Sequence, residues 1–217
     1  MEKNTAQTTE DLIASLSNEL TEVDVLPHPL KRAIPWAIFG VLYITLVLTI
    51  LGVREDFDTK ISDPGFVYEL LHILALSISS GFASLWLRIP DIMQQKWVVS
   101  VPLTLFFSYA AWAALYYSMS SYSDVHAHFH WHFCHLHAVI FGLIPAASIW
   151  YLGKMGKTTH PILITIMNVL AVGGLGYLGL RVTCISDDLA HLFVTHTLPY
   201  LVLGAAACAS AKWIYRW

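Results

Sequence analysis

Six long apolar runs dominate this sequence and restrict the folds that are open to it. They cover residues 34–53, 66–87, 97–117, 136–152, 161–181 and 197–214. A transmembrane helix needs about 20 apolar residues to cross roughly 30 Å of hydrocarbon, which is close to the length of these runs. Only 12% of the residues are charged, too few to cover the surface of a soluble domain of this size. The sequence therefore predicts an all-α integral membrane protein with six transmembrane helices.

Lys and Arg are distributed unevenly between the two sides that these spans define. Nine of the twelve lie in the N-terminal segment, the second and fourth loops and the C-terminus, and three lie on the opposite side. Cytoplasmic segments are enriched in Lys and Arg, so both termini are predicted to be cytoplasmic. Residues 1–30 are polar and acidic and do not resemble a cleavable signal peptide, so we expect the first span to direct insertion.

Ahead of the first span, residues 8–24 have the pattern of a short amphipathic helix. Thr8 and Asp11 fit an N-terminal capping box, and Glu10 and Asp11 place negative charge at the helix N-terminus, where it is favourable. The apolar positions that share one face at helical spacing are Leu12, Ile13, Leu16, Leu20 and Val23. The sequence thus predicts a cytoplasmic N-terminal helix with one apolar face.

The charge of this helix has the wrong sign for an anionic membrane surface. Residues 4–30 contain five acids and no Lys or Arg, whereas helices that lie on anionic lipid carry basic residues on their polar face. An apolar stripe bordered by acids suits a protein partner with an apolar groove and a basic rim. The alternative is a leader that is solvated or lies against the lipid without a protein partner.

Two of the three cysteines are predicted to lie at the outer membrane surface. Cys134 and Cys184 lie next to the fourth and fifth spans on the same side, whereas Cys208 lies within the sixth span. In an oxidising periplasm, two nearby thiols tend to pair. A disulfide between Cys134 and Cys184 is therefore compatible with this topology, and two unpaired thiols are the alternative.

The loop between the third and fourth spans is unusually rich in histidine. Its imidazoles belong to His126, His128, His130, His132, His135 and His137. Several of them, with the Cys134 thiolate, could converge on zinc, copper or nickel in either a strand or a helix. A pH-sensitive loop is a second interpretation, because imidazole titrates near neutral pH. An aromatic and polar loop at the membrane interface is the third.

The sequence contains no recognisable enzyme active site. A Ser-His-Asp order, a phosphate-binding glycine loop and a zinc-protease HExxH motif are all missing from it. The formal net charge of −3 is too small to indicate nucleic acid. We therefore expect neither direct nucleic-acid binding nor a small-molecule substrate, and no cofactor other than the transition metal considered above.

Four parts of the chain together resemble the NrsF-like family of bacterial anti-sigma factors with six transmembrane helices. They are residues 10–16, residues 52–56 with 63–69, the pair 160–161, and residues 181–199, followed by a basic and aromatic C-terminus. The resemblance implies that residues 1–32 form a cytoplasmic segment that binds an extracytoplasmic-function sigma factor. Residues 33–217 would then form the transmembrane domain, in the bacterial inner membrane.

The same resemblance implies a sensor on the outer face. Paired cysteines, matched here by Cys134 and Cys184, are implicated in the family in sensing oxidative or heavy-metal stress. The His-rich run departs from the family pattern and extends the candidate signals beyond thiol oxidation alone. A small metal-binding or metal-transporting membrane protein that uses this run is the alternative function.

Overall fold

A computed structural model describes residues 8–19, 27–89, 96–119, 134–153 and 156–215. Helices account for nearly all of these residues. In chain order they are α1 (Thr9–Asn18), α2 (Pro29–Leu51), α3 (Phe57–Lys60), α4 (Pro64–Trp86), α5 (Trp97–Met119), α6 (Cys134–Gly153), α7 (Pro161–Thr183), α8 (Leu189–His191) and α9 (Leu198–Ile214). A π-helical turn, Leu192–Thr197, joins α8 to α9. No strand occurs in these ranges, and the predicted all-α class is confirmed.

Local sequence sets where the long helices begin and end. Proline occupies the first turn of α2, α4 and α7, where the missing N–H costs no hydrogen bond. Asp63 caps α4, because its carboxylate accepts a hydrogen bond from the N–H of Gly65 at 2.9 Å. At the other end of α2, Gly52 has a φ of 78°, a conformation that favours glycine.

Five helical segments are long and apolar enough to cross a membrane. They are Pro29–Leu51, Pro64–Trp86, Trp97–Leu115, Pro161–Thr183 and Leu189–Ile214. Each overlaps one predicted span. The last segment combines α8, the π turn and α9 and starts at Leu189 rather than at 197, because polar residues in its first two turns interrupt the hydropathy pattern. The predicted span 136–152 corresponds to a shorter apolar stretch of α6, Leu136–Leu152, so a sixth crossing stays a prediction.

Helix α7 lies at the centre of the bundle. It contacts α2, α4, α6 and α9, whereas α5 packs mainly on α4. Its contact with α4 is close because small residues face each other: the Ser77 hydroxyl donates to the carbonyl oxygen of Ala171 at 2.7 Å. A Cβ added to Gly174 would lie 2.8 Å from the Cβ of Ser77. Small residues at this contact thus let the two helix backbones approach closely.

The bundle has two ends with different chemistry. At one end, the loop after α2 meets the last turn of α7, where the N–H of Arg54 donates to the carbonyl oxygen of Val182 at 3.0 Å. At the opposite end, Arg32 in the first turn of α2 donates to the carbonyl oxygen of Leu85 at 2.7 Å. The sequence predicts that the first of these ends faces outward, and we call it the outer end, defined by Arg54 and Val182.

Candidate functional site

The apolar face of α1 is exposed. Leu12, Ile13 and Leu16 have 47%, 60% and 55% of their surface accessible, and no residue of α1 is buried. The helix is started by a capping box in which the Asp11 N–H donates to the Thr8 hydroxyl at 3.2 Å. Three large side chains are thus held in a row on a helix that leaves them uncovered.

Negative charge borders this face, as the sequence predicts. Glu10 and Asp11 lie in the first turn of α1, and its last turn has no basic residue. The helix is described as far as Asn18, so Leu20 and the rest of the predicted stripe lie outside the described residues. The described part of the predicted partner surface is therefore a short acidic helix with one apolar side.

The two cysteines predicted to act together lie at the adjoining ends of α6 and α7. Cys134 is the first residue of α6, and Cys184 caps α7, with its N–H donating to the carbonyl oxygen of Leu180 at 2.7 Å. One turn further into the bundle, Ala138 of α6 and Leu180 of α7 share a buried cluster with Tyr200. The side chain of Cys134 lies outside the described part, so pairing with Cys184 stays a prediction.

Cys184 has two histidines close to its sulfur. Its Sγ lies 3.5 Å from Nε2 of His191, and the His191 ring packs edge-on against that of His196, with centroids 5.4 Å apart. One ligand atom from each of Cys184, His191 and His196 lies within 4.8 Å of the other two. We call these three residues the Cys184 cluster. The chemistry of one thiol and two imidazoles is that of a soft-metal ligand set.

Of the predicted metal ligands in the His-rich run, only His137 has a described side chain, and it does not belong to this cluster. His126, His128, His130 and His132 lie outside the described residues, as does the side chain of His135. His137 is half-buried in α6, with its ring 5.9 Å from that of Phe141. A metal site within the run stays a prediction. In the sequence, His191 and His196 follow Cys184, where they could add ligands or form polar contacts.

A buried ion pair joins α4 to α7 near the outer end. Nε of Arg181 donates to both carboxylate oxygens of Glu69 at 3.2 Å, and these side chains are only 6% and 8% exposed. The hydroxyls of Tyr109 and Tyr177 also donate to Glu69. The sequence places both charges on the outer side, but their pairing joins residues 112 positions apart. Composition and spacing contain no signal for it.

Asp187 extends this ion pair into a network. Its carboxylate lies 3.1 Å from Arg54, 2.5 Å from Lys60 and 2.8 Å from Arg181. Burial would raise the pKa of Asp187, but hydrogen bonds from the three cations outweigh it and hold the pKa well below its usual range. Asp187 therefore stays ionised and ties the segment after α7 to the loop after α2 and to α3.

A cavity of about 740 Å³ opens beside this network. Glu69, Tyr177 and Arg181 line it on one side, and His196 of the Cys184 cluster lines it as well. The cavity is thus lined both by the ionic network around Asp187 and by a residue of the Cys184 cluster.

The long apolar helices and the polar network at one end of the bundle define the class: this is an all-helical membrane protein with several spans. The profile of a family described as NrsF, Negative regulator of sigma F, matches residues 16–217, and the chain belongs to this family. The resemblance found in the sequence is thereby confirmed. Comparison with curated proteins and with solved structures gives no match.

This membership has two direct consequences. The family is one of sigma-factor regulators and not of enzymes, and its description implies a sigma factor as the partner. The match begins at Leu16, within α1, so most of that helix precedes the matched region.

Proposed function

We propose that this protein is an anti-sigma factor that binds an extracytoplasmic-function sigma factor through α1 and releases it under oxidative or heavy-metal stress outside the membrane. The family supplies the regulatory class and the sigma factor. The observation that carries the binding role is the uncovered row formed by Leu12, Ile13 and Leu16. An isolated helix this short is marginal in water, so a partner groove would stabilise both its fold and its apolar face.

The binding mode is that of an amphipathic helix in a groove. Leu12, Ile13, Leu16 and Leu20 would enter an apolar groove on the sigma factor, and Glu10 and Asp11 would face basic residues at its rim. An acidic helix is repelled by an anionic leaflet, which favours a protein partner over the membrane surface. Occupying a surface that polymerase or promoter DNA uses would silence the sigma factor, with no contact between this protein and nucleic acid.

This function requires both termini in the cytoplasm of a bacterial cell and the transmembrane domain in its inner membrane. The excess of Lys and Arg on the predicted inner side supports that orientation. On the outer side, all three basic residues, Arg54, Lys60 and Arg181, are held in ion pairs with carboxylates. Residues 1–32 are then the sigma-binding segment and residues 33–217 the six-helix domain.

The sensor in this proposal is the pair Cys134 and Cys184. Hydrogen peroxide would oxidise the two thiols to one disulfide and, taking up their two protons, be reduced to two water molecules. A soft metal would compete for the same thiolates. Such a bond would join the first residue of α6 to the cap of α7, the central helix. A coupling free energy of about 1–3 kcal/mol is enough for a 5- to 150-fold change in sigma affinity.

The His-rich run would add a metal response to this sensor. His126, His128, His130, His132, His135 and His137 are close to Cys134 in the sequence, and imidazole with thiolate suits zinc, copper or nickel. No enzymatic step and no small-molecule substrate enter the mechanism, since the signal is read as a change in packing at the outer end.

The experiment that tests the proposal is a binding titration. Full-length protein in detergent is titrated with each extracytoplasmic-function sigma factor of its host, and the Leu12→Ala, Leu16→Ala double variant is compared with it. If each buried leucine contributes about 2 kcal/mol, the double variant should bind about 1000-fold more weakly.

A double variant on the opposite side of α1, Ala14→Ser with Asn18→Ala, is the matched control and should bind normally. Equal binding by the two double variants would show that the apolar face of α1 is not the contact. Binding to none of the sigma factors would overturn the proposed function as a whole.

A further inference from the structure

We propose that Cys184, His191 and His196 form a binding site for a single soft or borderline divalent cation, of which Zn²⁺ is the representative. The site lies at the outer end of the bundle and on residues other than the His-rich run. The proposal does not rest on sigma binding, because it concerns the affinity of the Cys184 cluster for a metal ion.

The geometry of the cluster is close to that of a metal site. A tetrahedral Zn²⁺ with bonds of roughly 2.0–2.3 Å holds its ligand atoms roughly 3.3–3.8 Å apart. The Sγ of Cys184 and Nε2 of His191 already lie 3.5 Å apart, and all three ligand atoms lie within 4.8 Å of one another. A small rotation of the rings would complete the arrangement, with water in the fourth position.

His196 supplies an independent indication of a ligand. It is fully buried, at 0% exposure, and neither of its ring nitrogens has a hydrogen-bond partner among the described residues. A buried imidazole without partners is unfavourable, since its nitrogens have left water and gained nothing in exchange. A cation held jointly with His191 and Cys184 would satisfy one nitrogen directly.

The backbone brings the two histidines together in an unusual way. In an α-helix, side chains five residues apart point about 140° away from each other, because each residue turns the chain by about 100°. Between His191 and His196 the helix instead forms the π turn Leu192–Thr197, and the N–H of Leu198 donates to the carbonyl oxygen of Phe193, five residues back. This wider turn brings the two rings into edge-on contact. Such turns are rare and occur frequently at functional sites.

The surroundings hold the cluster in place and leave a path to it. The Asp188 carboxylate accepts hydrogen bonds from the N–H groups of Ala190 and His191, at 3.2 and 3.1 Å, which fixes the start of α8. The ionic network around Asp187 fixes the segment between Cys184 and α8. His196 lines the cavity beside this network, so an ion would approach the cluster from that side.

The ligand set selects the class of cation. A thiolate and two imidazoles favour Zn²⁺ and other borderline or soft ions, and they disfavour Mg²⁺ and Ca²⁺, which prefer oxygen. Half-burial of Cys184 and full burial of His196 remove competing water, which strengthens a charged centre.

The test is a Zn²⁺ titration of full-length protein, purified in detergent and kept reduced. To remove binding by the His-rich run, it is done in a background with glutamine at His126, His128, His130, His132, His135 and His137. We expect one Zn²⁺ per chain. The Zn²⁺ affinity should fall at least about 100-fold in His191→Ala and in Cys184→Ser, because losing a group that only supports a metal ligand already costs up to about 100-fold. With Co²⁺ as the probe, the thiolate-to-metal absorption band should vanish in Cys184→Ser.

The controls are a half-buried histidine and cysteine outside the cluster. His72→Ala and Cys208→Ser should leave both the Zn²⁺ affinity and the Co²⁺ spectrum unchanged. Neither test substitution touches a fully buried residue, so helicity by circular dichroism should match the parent and exclude unfolding. Absence of Zn²⁺ binding in the background protein, or equal affinity in the cluster and control variants, would overturn the proposal.

Discussion

Glu69→Leu should lower the free energy of unfolding by about 3 kcal/mol. The Glu69 side chain is 8% exposed, and its carboxylate accepts hydrogen bonds from Arg181 and from two tyrosine hydroxyls. Removing one member of a buried ion pair costs about 3–5 kcal/mol, because the other charge loses its partner. The lower figure applies here, since Arg181 keeps a contact with Asp187 at 2.8 Å.

Two companion variants separate the charge from the hydrogen bonds. Tyr177→Phe removes one hydroxyl donor and should cost about 1 kcal/mol. Arg181→Met combined with Glu69→Leu leaves no unpaired charge between α4 and α7. The loss of unfolding free energy in the double variant should therefore be smaller than the sum of the losses in the two single variants.

Unfolding by sodium dodecyl sulfate in mixed micelles, followed by circular dichroism, gives the free energy of each variant. A loss below about 1 kcal/mol in Glu69→Leu is the value expected of a solvated surface pair. That result would refute the reasoning that the ion pair is buried and coupled. So would a double variant whose loss of unfolding free energy equals the sum of the two single losses.

Two further predictions concern orientation and sensing. Reporter domains inserted in the loop 52–56 should report the periplasm, and those inserted at Lys157 should report the cytoplasm; the reverse pattern would invert the proposed topology. Cys134→Ser and Cys184→Ser should each abolish the response of a sigma-dependent reporter to peroxide, and the double variant should behave like either single one, whereas Cys208→Ser should respond normally. A normal response in the double variant would remove the cysteine pair from the mechanism.

Hydropathy predicted the long helices well because each is a continuous apolar run. It placed the start of the first span at 34, whereas α2 starts at Pro29. Lys31 and Arg32 interrupt the apolar pattern, but Arg32 folds into the bundle and donates to the carbonyl oxygen of Leu85 at 2.7 Å. A charged residue can thus belong to a buried helical turn, which a scale based on single residues does not register.

The polar groups of the outer end were not predictable in the same way. Glu69, Arg181 and Asp187 meet only after α4 and α7 have packed, and their sequence separation contains no periodic signal. His191 and His196 are five residues apart, a spacing that an α-helix would divide between two faces. Their proximity depends on a π turn, and the sequence has no simple signature for that turn. The exposed stripe on α1, by contrast, was readable because it is local.

The close contact between α4 and α7 has a consequence for the way that family members diverge. Any side chain larger than glycine at position 174 would bring its Cβ within 2.8 Å of that of Ser77. A gain of volume on one helix must then be balanced by a loss on the other. In an alignment of related chains, positions 77 and 174 should therefore vary as a pair, with their combined volume nearly constant.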